Sequence, residues 1–404
     1  MKEKQTLWQP ILLIAALGYF VDIYDLLMFS ILRIPSLQSL GLNDAEIATQ
    51  GMMIINYQMT GLLIGGVLWG ILGDKRGRLS VLFASILLYS LGNIANGFVQ
   101  TVEQYAWIRL ISGIGLAGEL GVGITMVAEL LPREKRGIGT SLVAGIGLSG
   151  AVAAFFVKEL FDWRTCYFIG GGLGLALLFL RIGASESGLF KQIEEKSSIV
   201  RGNFFALFAT PKRAMTYIRC ILIGLPTWFV IGILVSFSKE FAADRGMVGA
   251  VDPGFAIMIA YAAISLGDIA VGFLSQALRS RKKALFVFYA ITAVGILLFF
   301  TAESPTALYT ACGVLGFGTG FWAIFVTIAA EHFGTNLRAT ATTTIPNMVR
   351  GSLVLISFFF TRLQFWFSYS EAGLLTGIVI LCITVWAAVQ LEETFDKSLD
   401  FIEE

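Results

Sequence analysis

Charge is what this sequence has least of. Asp, Glu, Lys and Arg make up 14% of its 404 residues, against 56% hydrophobic ones, and the mean hydropathy is +0.78. Soluble domains carry charge on roughly a quarter of their residues, so a soluble enzyme or soluble binding module is excluded. Histidine is nearly absent: His332 stands alone, and neither a catalytic nor a metal role is expected of it. The four cysteines, Cys166, Cys220, Cys312 and Cys382, all fall inside apolar segments without metal or disulfide spacing, and read as small packing residues. The formal net charge is only +1, which gives no reason to propose nucleic acid as a partner. No GxxxxGK[ST] stretch occurs and no soluble domain is in view to hold a nucleotide, so no cofactor is expected.

What the sequence has in abundance is long apolar runs. About 20 residues cross the hydrocarbon core of a bilayer, and runs of that order can be placed at 10–34, 46–73, 79–99, 102–130, 136–158, 163–183, 214–238, 253–278, 283–302, 305–331, 336–362 and 369–392. The first is too long for a cleaved signal and contains two aspartates, so it reads as a spanning helix. Basic residues sort by loop. Lys75, Arg76, Arg78, Arg133, Lys135, Arg136, the clusters Lys191–Arg213 and Arg279–Lys283, and Arg338 fall on one side, and the other has only Arg33, Lys158, Arg164, Lys239, Arg245 and Arg362. By the positive-inside rule both termini are cytoplasmic. The expected fold is an all-α membrane protein of twelve transmembrane helices in two pseudo-symmetric six-helix bundles, 1–183 and 214–404, joined by a cytoplasmic loop at 184–213. Within that loop, residues 202–208 are too short to span and read as an interfacial helix.

The halves carry marks of duplication. Gly66 to Arg78, GVLWGILGDKRGR, ends a helix in a tight, glycine-assisted basic turn. A weaker copy follows, with Gly70 and Gly272 offset by 202 residues. The same offset relates Glu129 to Glu331, each seven residues before an arginine, Arg136 or Arg338. Parallel repeats of this sort are a common build for secondary transporters.

Twelve helices in two halves, the loop Gly73-Asp74-Lys75-Arg76-Gly77-Arg78 and the sequence from Glu129 to Gly137 resemble the major facilitator superfamily, over nearly the whole chain. Within it, Asp22-Ile-Tyr-Asp25, Arg109 to Glu119, Asp268 and Arg350 resemble the proton symporters for aromatic acids and related organic metabolites. The resemblance implies that Gly73, Asp74, Gly77, Arg78, Arg109, Glu129 and Arg136 belong to the gate and motif machinery. Asp74, Arg78, Glu129 and Arg136 would hold the inner gate closed. Helix 5 lacks the Gly-Pro pair of the superfamily's antiporters, since Gly150 is followed by Ala151, which speaks against an exporter.

Cost identifies the other candidates. A charge near the bilayer centre is disfavoured by roughly 2.5–3.5 kcal/mol on insertion scales. Asp22, Asp25, Glu119, Asp268 and Arg350 must therefore be paired, protonated or wetted. Asp22 and Asp25 are three residues apart, share a helix face, and lie about 18 Å from the cytoplasmic end at ~1.5 Å per residue. They are proton-site candidates, with polar contacts to helix 4, through Arg109, as the structural alternative. Glu119 is a further proton-site candidate or a structural hydrogen bond to helix 1 or 2. Arg350, with Asn347 one turn before it, suits a substrate carboxylate; an ion pair with Asp268 is the alternative, and substrate could displace Asp268. Tyr19, Tyr24, Trp228, Trp322 and Phe325 fall near the same depth and could wall a pocket.

The combined expectation is a monomeric, multi-pass protein of the cell (inner) membrane, whose partners are lipid, protons and a small organic acid taken up by alternating access. Asp22, Asp25 and Glu119 serve proton coupling, and Arg350, Asn347, Asp268, Tyr19 and Trp322 bind substrate. Transport of a zwitterion or sugar, export, and a receptor that binds without transport are the competing readings. The last is disfavoured because no cytoplasmic output domain is seen.

Overall fold

The computed structural model describes residues 10–76, 78–119, 143–186, 204–395 and 397, and among these there are helices and no strands. Every expected span holds a helix: α1 (Pro10–Ser39), α2 (Asp44–Arg76), α3 (Arg78–Asn96), α4 (Val102–Leu116), α5 (Val143–Leu160), α6 (Trp163–Glu186), α7 (Pro211–Val235), α8 (Pro253–Leu278), α9 (Arg281–Thr301), α10 (Pro305–His332), α11 (Asn336–Leu363) and α12 (Tyr369–Gln390). Ten of these stretches are long and apolar enough to cross a membrane; part of α3 forms a shorter apolar helix, Ser80–Asn96. The continuation of α4 toward Glu129 and the start expected for α5 lie outside the described residues. Residues Phe204–Phe208 form a 3₁₀ turn, within the stretch expected to be interfacial.

Large apolar side chains stay on the outside, as lipid allows: Phe179, Phe273, Leu355 and Phe358 are exposed, while polar groups such as Ser85, Asn93, Thr292 and Asn347 are buried. Helices pack on backbones. A Cβ at Gly65 would collide with the Ile114 carbonyl oxygen, and one at Gly267 with that of Phe317, so α2 lies close on α4 and α8 close on α10. These two glycines are again 202 residues apart. The halves meet where α2 packs on α11, and where α5 and α1 pack on α8. Asn347 lies against Gly66 and Ile269 against Gly145, so the two cross-half seams also repeat one another.

Several helices are interrupted. The α4 helix ends in a turn at Ala117–Glu119, α10 breaks between Thr319 and Trp322, and α11 turns at Ser352. The α7 helix contains a π-helical stretch, Val230–Val235. Broken backbone at this depth must find internal partners.

Candidate functional site

The charges that the sequence placed at mid-depth are buried, Asp22, Asp25 and Asp268 at 0% exposure, Arg350 at 1% and Glu119 at 3%, and so is Arg109 of the motif group, at 0%. Their pairing is specific. Arg350 on α11 donates Nη2 to Asp22 Oδ2 on α1 at 3.2 Å, which ties the two halves together. The partner considered for Arg350 was Asp268, and that pairing is corrected. Asp268 Oδ1 instead accepts the Ala323 amide at 2.9 Å, at the first turn of the second segment of α10. The break in α10 exposes N–H groups that no preceding turn can satisfy, and a carboxylate from α8 caps them.

Glu119 is not bonded to α1 or α2. Arg181 of α6 grips both its oxygens, at 2.9 and 2.5 Å. Arg181 was not among the expected site residues: it lies two residues from the end of the span at 163–183, where an arginine can snorkel to the interface and the central burial cost does not flag it. Arg109 donates to the Asp25 backbone carbonyl at 2.9 Å and to Asn93 Oδ1 at 3.1 Å, so helix 4 reaches the backbone of α1 through Arg109 but bonds neither aspartate's carboxylate, which corrects the structural alternative. The Asp25 carboxylate itself makes no hydrogen bond of good geometry among the described residues, with Asn93 and Arg109 beside it.

Around Asp22 and Arg350, several polar atoms are buried without hydrogen-bond partners among the described residues: Asp22 Oδ1, Arg350 Nε and Nη1, Asp268 Oδ2, Trp322 Nε1 and Asn347 Oδ1. Tyr19 lies within electrostatic reach of Arg350, Asp268 and Asp22, and Tyr261 within reach of Arg350 and Asp22. Trp322 packs on Phe325, ring centroids 5.0 Å apart. Asn347 spends its amide hydrogens on the carbonyls of Ala117 and Thr343, leaving only its oxygen. Tyr24 points elsewhere, donating to the Cys166 carbonyl at 3.2 Å, and Trp228 is buried. The side chains of Gly73, Asp74 and Arg78 lie outside the described set, as do Gly77, Glu129 and Arg136 entirely.

A second group of charges crosses between the halves at the end where α1 joins α2. Arg33, counted on the outer face at the end of the first span, is fully buried and grips Glu240 at 2.6 and 3.0 Å while donating to the Ser236 carbonyl at 3.0 Å and stacking over Phe237. Lys158 reaches Asp252 at 2.7 Å, and Lys239 reaches Asp44 at 3.1 Å.

Two duplicated helical halves, interrupted helices at mid-depth and ion pairs buried between the halves define a polytopic membrane transporter rather than an enzyme. The chain belongs to the Major Facilitator Superfamily, whose sequence pattern matches residues 15–357. It is 27% identical over 356 residues to the putative niacin/nicotinamide transporter NiaP of Bacillus subtilis, covering 85% of this chain and 86% of that protein. It is 26% identical over 292 residues to the 3-(3-hydroxy-phenyl)propionate transporter of Escherichia coli, 71% of each. Among solved structures, the proton:xylose symporter XylE bound to 6-bromo-6-deoxy-D-glucose matches with a TM-score of 0.69 at 18% identity, over 96% of this chain and 97% of that one. That match establishes the shared fold.

Proposed function

We propose that the protein imports a small organic acid together with a proton, by alternating access of a central site between the halves 1–183 and 214–404. The observation that carries this reading is the Asp22–Arg350 pair, which joins the halves through a single hydrogen bond and leaves two guanidinium nitrogens and one carboxylate oxygen without partners. A substrate carboxylate takes Arg350 bidentately. Asp22, deprived of its counter-charge in a site too dry to keep an isolated anion, then takes a proton. Substrate and proton therefore enter together, and the central site ends with the same net charge with which it began. That balance lets the loaded protein reorient without stranding a charge.

The excess of basic residues on one set of loops supports cytoplasmic termini and an inner-membrane location. On that orientation the Arg33–Glu240, Lys158–Asp252 and Lys239–Asp44 pairs lie at the outer end. The names of the niacin and hydroxyphenylpropionate carriers support an acid as cargo. A zwitterionic substrate is the second reading, favoured by Asp268 Oδ2, a buried acceptor without a partner that suits an amine.

The test is uptake by proteoliposomes of labelled nicotinate, 3-(3-hydroxyphenyl)propionate, a neutral amino acid and xylose under an imposed inward proton gradient. Accumulation of an acid that rises as external pH falls and collapses with an uncoupler is expected. Accumulation of xylose alone, or uptake indifferent to the gradient, overturns the proposal.

A further inference from the structure

Two buried carboxylates of the first half, Glu119 and Asp22, are held in different ways. Glu119, in the turn that ends α4, receives a two-pronged grip from Arg181, and both side chains are almost wholly buried, at 2% and 3% exposure. The α1 backbone is shaped for this pair. A Cβ at Gly18 would collide with Arg181 Nη2 and Glu119 Oε1, so only glycine leaves them room. Asp22 lies one turn further along the same helix and has a single contact, with Oδ1 free. The neighbours close the list of charged and titratable groups around the two acids. Tyr89 of α3 places a phenol without a hydrogen-bond partner within reach of Glu119, Asp25, Arg181 and Asp22. Tyr19 comes from α1, Arg350 from α11, Arg109 approaches Asp25 from α4, and Tyr261 with Asp268 faces from α8.

We infer that Arg181 is a positioning residue that decides which carboxylate carries the coupled proton: it keeps Glu119 ionised and leaves Asp22 as the acceptor. The inference rests on the proton-symport reading and adds to it a sorting device within one half. Protonating Glu119 disrupts a two-pronged charge-assisted grip and leaves a buried guanidinium with no hydrogen-bonded counter-ion, only the through-space charge of Asp22, and arginine cannot shed its charge. Protonating Asp22 breaks one contact, and the arriving substrate anion replaces it at Arg350. The difference lies in what becomes of each arginine. Arg181 is hydrogen-bonded to Glu119 alone among the described residues and meets Asp22 only through space, whereas Arg350 gains a new hydrogen-bonded partner once substrate binds.

Infrared difference spectroscopy tests this without any substrate, because a step to low enough pH protonates the carboxylate with the weaker hold, Asp22 on its single contact to Arg350, as substrate does at higher pH. The full-length protein in lipid vesicles is stepped between alkaline and acidic pH, and the carbonyl stretch of protonated carboxylic acids is recorded. The wild type and Glu119→Gln should give the same acid bands, and Asp22→Asn should lose one. Arg181→Gln should gain one band, and the double variant Glu119→Gln/Arg181→Gln should lose that gain. Loss of an acid band in Glu119→Gln alone overturns the inference, and this comparison decides even if Arg181→Gln fails to fold. An unchanged spectrum in Asp22→Asn instead removes Asp22 as the proton carrier, a failure of the underlying reading, whereas the fate of the Glu119 band still reports on Arg181 separately.

Discussion

At the scale of single residues, the fate of a buried charge depends on whether it can neutralise itself. Removing one partner of a buried ion pair costs roughly 3–5 kcal/mol when the other stays charged. Asp22→Asn strands Arg350, which stays cationic at every accessible pH. Arg350→Gln strands Asp22, which can take a proton, so its destabilisation should be small in acid and grow as pH rises and the carboxyl is driven to ionise. The neutral double variant Asp22→Asn/Arg350→Gln should melt above the Asp22→Asn single. Thermal unfolding in detergent across a pH series measures all three, and simple additivity of the two single losses would show that the residues do not interact. The cost of burying charge made Asp22, Glu119, Asp268 and Arg350 legible in the sequence. Their partners were not, because pairing depends on how each helix is rotated about its axis, and a run of apolar residues on a lipid-facing helix leaves that rotation nearly free. Asp22 and Arg350 are 328 positions apart, and no local pattern links them.

At the scale of elements, spans were legible and their interruptions were not. Length and hydropathy mark where a helix crosses, but the break in α10 at Gly320 and Phe321, although preceded by Gly316, Gly318 and Thr319, lies inside a run that hydropathy reads as one span. Its stability comes from another helix. Asp268 Oδ1 accepts from the Ala323 amide, and leaving such a buried donor unpaired costs about 1–3 kcal/mol. Asp268→Asn retains a carbonyl oxygen that can accept the same bond, and Asp268→Ala does not. Asp268→Ala should therefore lower the melting temperature distinctly more than Asp268→Asn; equal losses would mean that the cap contributes nothing. The same logic explains the repeated offset of 202 residues. It reaches beyond the basic turns to Gly65 and Gly267, where each half needs a side chain reduced to hydrogen so that two backbones can touch.

At the scale of the whole molecule, the question is what holds one end shut. The side chains of Asp74 and Arg78 and the residues between 120 and 142, on which the inner gate was expected, lie outside the described residues, and the described ion pairs between the halves, Asp22–Arg350 apart, are at the opposite end. Their strongest member is Arg33–Glu240, with Arg33 wholly buried and Glu240 15% exposed. The Lys239–Asp44 pair is largely exposed, and such pairs contribute about 0–1 kcal/mol. Arg33 also bonds to the carbonyl of Ser236, the residue that follows the π-helical stretch of α7, whose amide and hydroxyl both donate to the carbonyl of Ile231 near the start of that stretch. A π-turn widens the helix and leaves a bond pattern that can relax back to α, so this contact fastens α1 to the least regular part of α7. Arg33→Gln leaves Glu240 free to meet water and removes the grip, and the end should open. Spin labels placed at Ala45 and Val248, both exposed and on opposite halves of that end, report the separation directly. The wild type should give one dominant short distance, and Arg33→Gln should add a longer population. Asp44→Ala, which breaks only the exposed pair, should leave the distribution nearly unchanged. If Asp44→Ala opened the end as far as Arg33→Gln, burial would not be what sets the strength of the latch, and the closure would belong to the summed surface charge instead.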